Sequence, residues 1–132
     1  MKRYGIKLQT LAAVLAVTAA AAAVGCGSIP HTITLASGSH LNVIQENSAT
    51  LKDRHNLDKR IFYVSYESTQ NFEDPAALRN EMYDVFDAYK TRVEQGEYAK
   101  LVLTPMKRDL GGGWEGRPFY LERRPSGRWI VL

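Results

Sequence analysis

The chain has 132 residues with 17 basic and 14 acidic side chains, 45% hydrophobic residues and a single cysteine. This length fits one domain, and one cysteine excludes an internal disulfide framework. Lys2, Arg3 and Lys7 supply three of the basic groups, leaving 14 against 14 elsewhere, so the remainder has no basic excess with which to neutralise phosphates and no nucleic-acid partner is expected.

The amino-terminal residues MKRYGIK are basic and free of acid. Leu8 to Val24 is an Ala-rich apolar run interrupted only by Gln9, Thr10 and Thr18. It is short and weakly hydrophobic for a permanent span, which wants about 20 strongly apolar residues. A basic stretch followed by such a run is the pattern of an export signal. The run ends in Ala23-Val24-Gly25-Cys26, which resembles the lipobox of bacterial lipoproteins. The resemblance implies fatty acyl chains on the Cys26 sulfur and cleavage between Gly25 and Cys26. Residues 1–25 would then be a removed signal peptide, residues 26–30 a lipidated tether, and residues 31–132 one domain. Gly27 after the cysteine, rather than Asp, implies the outer membrane facing the periplasm if the host has two membranes. Lipidation also accounts for a solitary thiol in an exported chain. Two or three acyl chains make attachment durable where one is marginal.

His31 to Ala36 alternates polar and apolar residues, Ser37-Gly38-Ser39 signals a turn, and Leu41 to Ile44 is apolar, which predicts a hairpin. Glu46 to Lys59 is polar and rich in turn formers, so a loop is expected there, with Leu51 and Leu57 as anchors. Ile61 to Tyr66, IFYVSY, is β-branched and aromatic, as in a central strand. Asp74-Pro75 reads as an N-cap and first helical position. Leu78, Met82, Val85, Phe86, Tyr89 and Val93 then form one stripe at helical period. The helix is expected to run about 20 residues, to stop at Gly96, and to carry its acids on a solvated face.

Tyr98 to Thr104 predicts a strand, Met106 to Gly116 a loop containing Gly111-Gly112-Gly113-Trp114, and Pro118 to Arg123 another strand. Arg124-Pro125-Ser126-Gly127 has the residues of a tight turn, and Arg128 to Leu132 closes a final hairpin. The order β-β-β-α-β-β-β predicts an α+β fold: an antiparallel sheet of five to six strands with one long amphipathic helix packed across it.

Few residues carry the spacing that chemistry needs. His31, His40 and His55 have no metal-ligand spacing and no second cysteine to join them. Ser39, His40 and Asp53 lack a nucleophile elbow. Asp84 and Asp87 are three apart on the helix, a weak glycosidase argument without a pocket. Lys107-Arg108 and Arg123-Arg124 read as solvated turns or strand faces. The Gly111–Trp114 segment reads as a mobile loop offering Trp114, flanked by Glu115 and Arg117, as a contact for a partner or glycan. No catalytic residue, metal or cofactor is expected. The leading expectation is a non-catalytic envelope lipoprotein, held in the membrane through Cys26 and binding an envelope protein or glycan. The alternatives are a cell-wall or glycan hydrolase, and an inhibitor or immunity-type protein of the periplasm.

Overall fold

The computed structural model describes residues 30–132. The expected signal peptide, its expected cleavage site and Cys26 lie outside the described residues. Seven strands and one helix follow in the order β1 (His31–Thr34), β2 (His40–Lys52), β3 (Asp58–Glu67), α1 (Pro75–Gln95), β4 (Lys100–Arg108), β5 (Trp114–Gly116), β6 (Phe119–Arg123) and β7 (Trp129–Val131). The expected helix and six strands are present, but the segment Met106–Gly116 expected to be a loop holds the end of β4 and a seventh short strand, β5, and the sheet is not purely antiparallel. Its order is β1-β2-β3-β4-β6-β7, and β3 pairs with β4 in parallel, Ile61 opposite Lys100 through Glu67 opposite Met106. The reason lies in the crossover. A 21-residue helix covers about 31 Å at 1.5 Å per residue, and a ten-residue strand covers about 33 Å. The helix carries the chain back to the start of β3, so the next strand must run the same way.

The region expected to be a loop after Glu46 is the outer half of a 13-residue strand. It pairs with β3 from Gln45 opposite Ser65 to Lys52 opposite Asp58, after an irregularity at Ile44. Backbone pairing, closed by an ion pair of 2.6 Å between Lys52 and Asp58, holds this end. Leu51 and Leu57 are exposed and anchor nothing. Alternating apolar residues are missing here because neither face of this end is buried.

All four β-hairpins are closed by the same device. Leu35, Asp53, Asp109 and Arg124 each donate their N–H to the carbonyl four residues on, and accept from the N–H three residues on. The residue at that third position is left-handed: Gly38, Asn56, Gly112 and Gly127. This is a type I turn followed by a left-handed residue, matched to the twist of antiparallel strands.

Asp74 caps α1 by accepting from Ala77 N at 3.1 Å, with Pro75 following as expected. At the other end Gly96 caps the helix as expected, its N–H donating to Arg92 O at 3.0 Å, while the left-handed residue is the next one, Glu97. Gly96 also makes room for Tyr98, whose Cε2 would lie 2.6 Å from a Cβ there. Leu78, Met82, Val85, Tyr89 and Val93 of the helical stripe are buried, and Phe86 is half-buried with its ring edge-on to Trp129 at 5.7 Å. The helix lies on the face that carries Leu41, Val43, Phe62, Val64, Tyr66, Leu101, Leu103 and Leu121. Two layers thus enclose one core, and among the described residues the second face of the sheet carries no helix.

Candidate functional site

The uncovered face is built from the alternate residues of the same strands. Register places Tyr63 of β3 beside Val102 of β4, and Val102 beside Tyr120 of β6. Thr104 and Met106 continue this row along β4, with Gly116 of β5 opposite Met106 and Trp114 opposite Arg108. Tyr120 is 51% and Trp114 37% exposed. Gly116 leaves room for its neighbours, because a Cβ would sit 2.6 Å from Met106 Sδ and 2.9 Å from Thr104 Cγ2. Burial pushes the Tyr63 hydroxyl above the ordinary tyrosine value, and Tyr120 adds to the rise. The result is an apolar and aromatic surface, suited to stacking and hydrophobic contact.

At one end of this face the Gly111–Trp114 segment forms a defined hairpin turn. The Asp109 carboxylate accepts from Gly111 N and Gly113 N, each at 2.9 Å. Only Gly112 of the three glycines has a positive φ. Leu110, not Trp114, stands at the tip, and it is fully exposed. Trp114 begins β5, with the Arg108 guanidinium over its ring at 4.5 Å. Arg108 and Trp114 line a shallow groove of about 380 Å³ together with Pro30, His31, Thr32 and Glu67. Arg117 is engaged within the chain. Its Nη1 donates to Phe72 O at 2.6 Å, its Nη2 pairs with Glu115 at 3.2 Å, and it stacks on the Phe72 ring at 5.0 Å. It fastens the segment before the helix to the β5–β6 connection. Trp114 and Arg117 therefore do not converge on one ligand position: one contributes to an exposed groove and the other to a joint.

Two buried carboxylates escaped the sequence reading. Glu46 of β2 is 6% exposed and Glu81 of α1 is 5% exposed. Glu46 accepts a hydrogen bond from the Tyr89 hydroxyl and pairs with Arg92 Nη2 at 2.9 Å and His31 Nε2 at 3.3 Å. Glu81 accepts from Ser68 Oγ at 2.6 Å, Thr69 Oγ1 at 2.8 Å and Thr69 N at 3.0 Å. Each ties the helix to a different part of the sheet layer. Glu81 corrects the expectation that the helical acids all lie on the solvated face. Its position, three after Leu78 and four before Val85, was the available signal, because it falls inside the apolar stripe. Burial, then the hydrogen bond to Glu46, drives the Tyr89 hydroxyl far above the ordinary tyrosine value. Burial and the nearby Glu81 do the same to Tyr66, whose buried hydroxyl has no hydrogen-bond partner among the described residues.

The remaining candidates are spread over the fold. The three histidines are exposed: His31 on β1, His40 at the start of β2 and His55 in the following turn. Asp53 accepts from His55 N and Leu57 N in that turn, the length of β2 away from Ser39 and His40, about 40 Å at 3.3 Å per residue. A Ser–His–Asp set is therefore not assembled from these three. Asp84 and Asp87 are exposed. Asp84 does share a groove of about 270 Å³ with His40 and Glu81. Among the described residues no group of three His, Cys, Asp or Glu is placed to hold a metal ion. Nor is any described helix long and apolar enough to cross a membrane. Lys107 donates to Gln70 O at 3.0 Å, and Arg124 approaches Glu122 at 3.6 Å. Compared with protein-family models, with curated proteins and with solved structures, the chain matches none significantly.

Proposed function

We propose that this chain is a small, non-catalytic envelope lipoprotein, cleaved between Gly25 and Cys26 and held in the membrane by acyl chains on Cys26. The observation that carries this reading is the weakly apolar run from Leu8 to Val24, ending in Ala23-Val24-Gly25 and the only cysteine. On this reading the domain binds another envelope component, protein or glycan, and works by tethering. Confinement to a surface raises effective concentration, so a modest contact suffices. The uncovered sheet face, with Tyr63, Tyr120 and Met106, is the surface that offers such a contact. Gly27 favours the outer membrane, facing the periplasm, in a two-membrane host.

The test is the mature amino terminus. Mass spectrometry of protein extracted from bacterial membranes should find an acylated Cys26 as first residue. Cys26→Ser should abolish acylation and leave the precursor unprocessed at this site. An intact leader on the native protein, or a bare thiol at Cys26, would overturn the reading. A second reading, a hydrolase of cell-wall glycan, draws on the groove shared by His40, Glu81 and Asp84. It requires turnover of peptidoglycan that Asp84→Asn abolishes while the melting temperature stays unchanged.

A further inference from the structure

From the β4–β5 hairpin and its position beside Pro30, we propose that Leu110, Trp114 and Arg108 dock on phospholipid headgroups of the bilayer that holds Cys26. This proposal rests on the lipoprotein reading for the anchor and names the surface that the anchored domain turns to the membrane.

Three independent features point to the same occupant. The first is reach. Four peptide bonds separate Cys26 from Pro30, so covalent geometry keeps their Cα atoms within about 15 Å. Pro30 shares a groove with Arg108 and Trp114. Acyl chains on Cys26 therefore bring this corner of the domain, rather than its far end at Asp53–Leu57, to the headgroup layer. The second feature is the hairpin's shape. Asp109 locks the turn through Gly111 N and Gly113 N, and the lock leaves Leu110 at the tip, fully exposed. A leucine held out on a hydrogen-bonded turn is stabilised by entering an apolar phase. The third feature is the order of chemistry behind the tip. Trp114 suits the headgroup level, where one end of its ring system is apolar and its N–H is wet. Arg108 lies over that ring at 4.5 Å, and a guanidinium is the group that pairs with a phosphate oxygen. Leucine outermost, then tryptophan and arginine, reproduces the polarity gradient from acyl chains to headgroups. A protein partner would not require that order, nor nearness to the tether.

The experiment uses the full chain, extracted from bacterial membranes and reconstituted into vesicles of phosphatidylcholine and phosphatidylglycerol carrying brominated acyl chains. Trp129→Phe isolates the fluorescence of Trp114. Bromine should quench Trp114 in vesicles, and Leu110→Asp should reverse most of the quenching by shifting the docked-to-free ratio roughly tenfold. Arg108→Gln should weaken the response chiefly in vesicles containing the anionic lipid. The side chain of Leu110 is exposed, so L110D should keep the parent's circular dichroism. Should Trp129→Phe fail to fold, the difference in quenching between parent and L110D in the Trp129-containing protein gives the same readout. Absence of bromine quenching overturns the docking surface, as does quenching that L110D leaves unchanged. Mass spectrometry of the same sample reads acylation separately. An acylated protein with an unquenched Trp114 sinks only the docking surface, and an unacylated protein with a quenched one sinks only the anchor.

Discussion

The two faces of the sheet are made by alternate residues of the same strands, yet they obey different rules. On the helix side Leu101, Leu103 and Leu121 are wholly buried against Met82, Val85 and Val93. Buried polar groups are tolerated there only with partners: Glu46 and Glu81 each have several, and the Tyr66 hydroxyl is the exception. On the open side the paired residues Tyr63, Val102 and Tyr120 form a row that no described element covers. The comparison separates stability from contact. One face forms the buried core, and the other leaves Tyr63 and Tyr120 exposed to solvent.

The largest test of this division is a pair of truncations. Leu103→Ala on the covered face should lower the unfolding free energy by about 2–5 kcal/mol, the range for emptying a leucine site in a core. Tyr120→Ala on the open face should lower it by less than about 1 kcal/mol, as surface changes do. Urea unfolding measures both, and equal losses would break the distinction.

Two tyrosines sharpen it within the covered face. Tyr89→Phe removes a donor from the buried Glu46 and should lower stability by about 2 kcal/mol. Tyr66→Phe removes a buried hydroxyl that has no partner among the described residues, so it should raise stability by about 1 kcal/mol. Opposite signs from the same substitution in one core would show that satisfaction, not burial, decides the effect. The same pair governs the alkaline limit. Both hydroxyls are held above the ordinary tyrosine value of 10.0. The folded state therefore keeps them neutral after the unfolded chain has begun to ionise. Their contribution is complete below pH 10 and is lost as pH rises through and beyond it. Urea midpoints from pH about 8 to about 11 should fall in the parent and fall less in the double Phe variant.

The smallest effect lies where neither face is covered. Asn56 holds a left-handed conformation in the turn between β2 and β3, and Asn56→Ala should lower the melting free energy by about 1 kcal/mol. Gly in the same place should not lower it. A null result for alanine would mean that the turn is not what closes this end of the hairpin.

That turn also explains what was hidden in the chain. The three hairpins closed by Gly38, Gly112 and Gly127 lie at glycines of the sequence, whereas Asn56 performs the same backbone task without the glycine that advertises it. Together with the polar outer half of β2, it made a hairpin look like a loop. The helix, its Asp74-Pro75 start and its apolar stripe were plain, because capping and a 3.6-residue period are local properties. Glu81 was misassigned because a charged residue inside that stripe cannot announce that Ser68 and Thr69, a dozen residues earlier, come round to meet it. Trp114 was recognised as prominent, but the role of Leu110 at the tip depended on the Asp109 lock, and the engagement of Arg117 depended on Phe72, 45 residues away.

What the sequence determined by itself is the helix, six of the seven strands in their order along the chain, the sign and placement of charge, and the signal-like pattern ending at Cys26. Each of these rests on neighbours along the chain. Only the tertiary structure decided that β3 and β4 run parallel, that two carboxylates are buried and paired, that one face of the sheet stays open, and that the β4–β5 hairpin sits beside Pro30. Those facts depend on where a helix of a particular length returns the chain and on which distant groups then meet, and such distances are not written in any local stretch of residues.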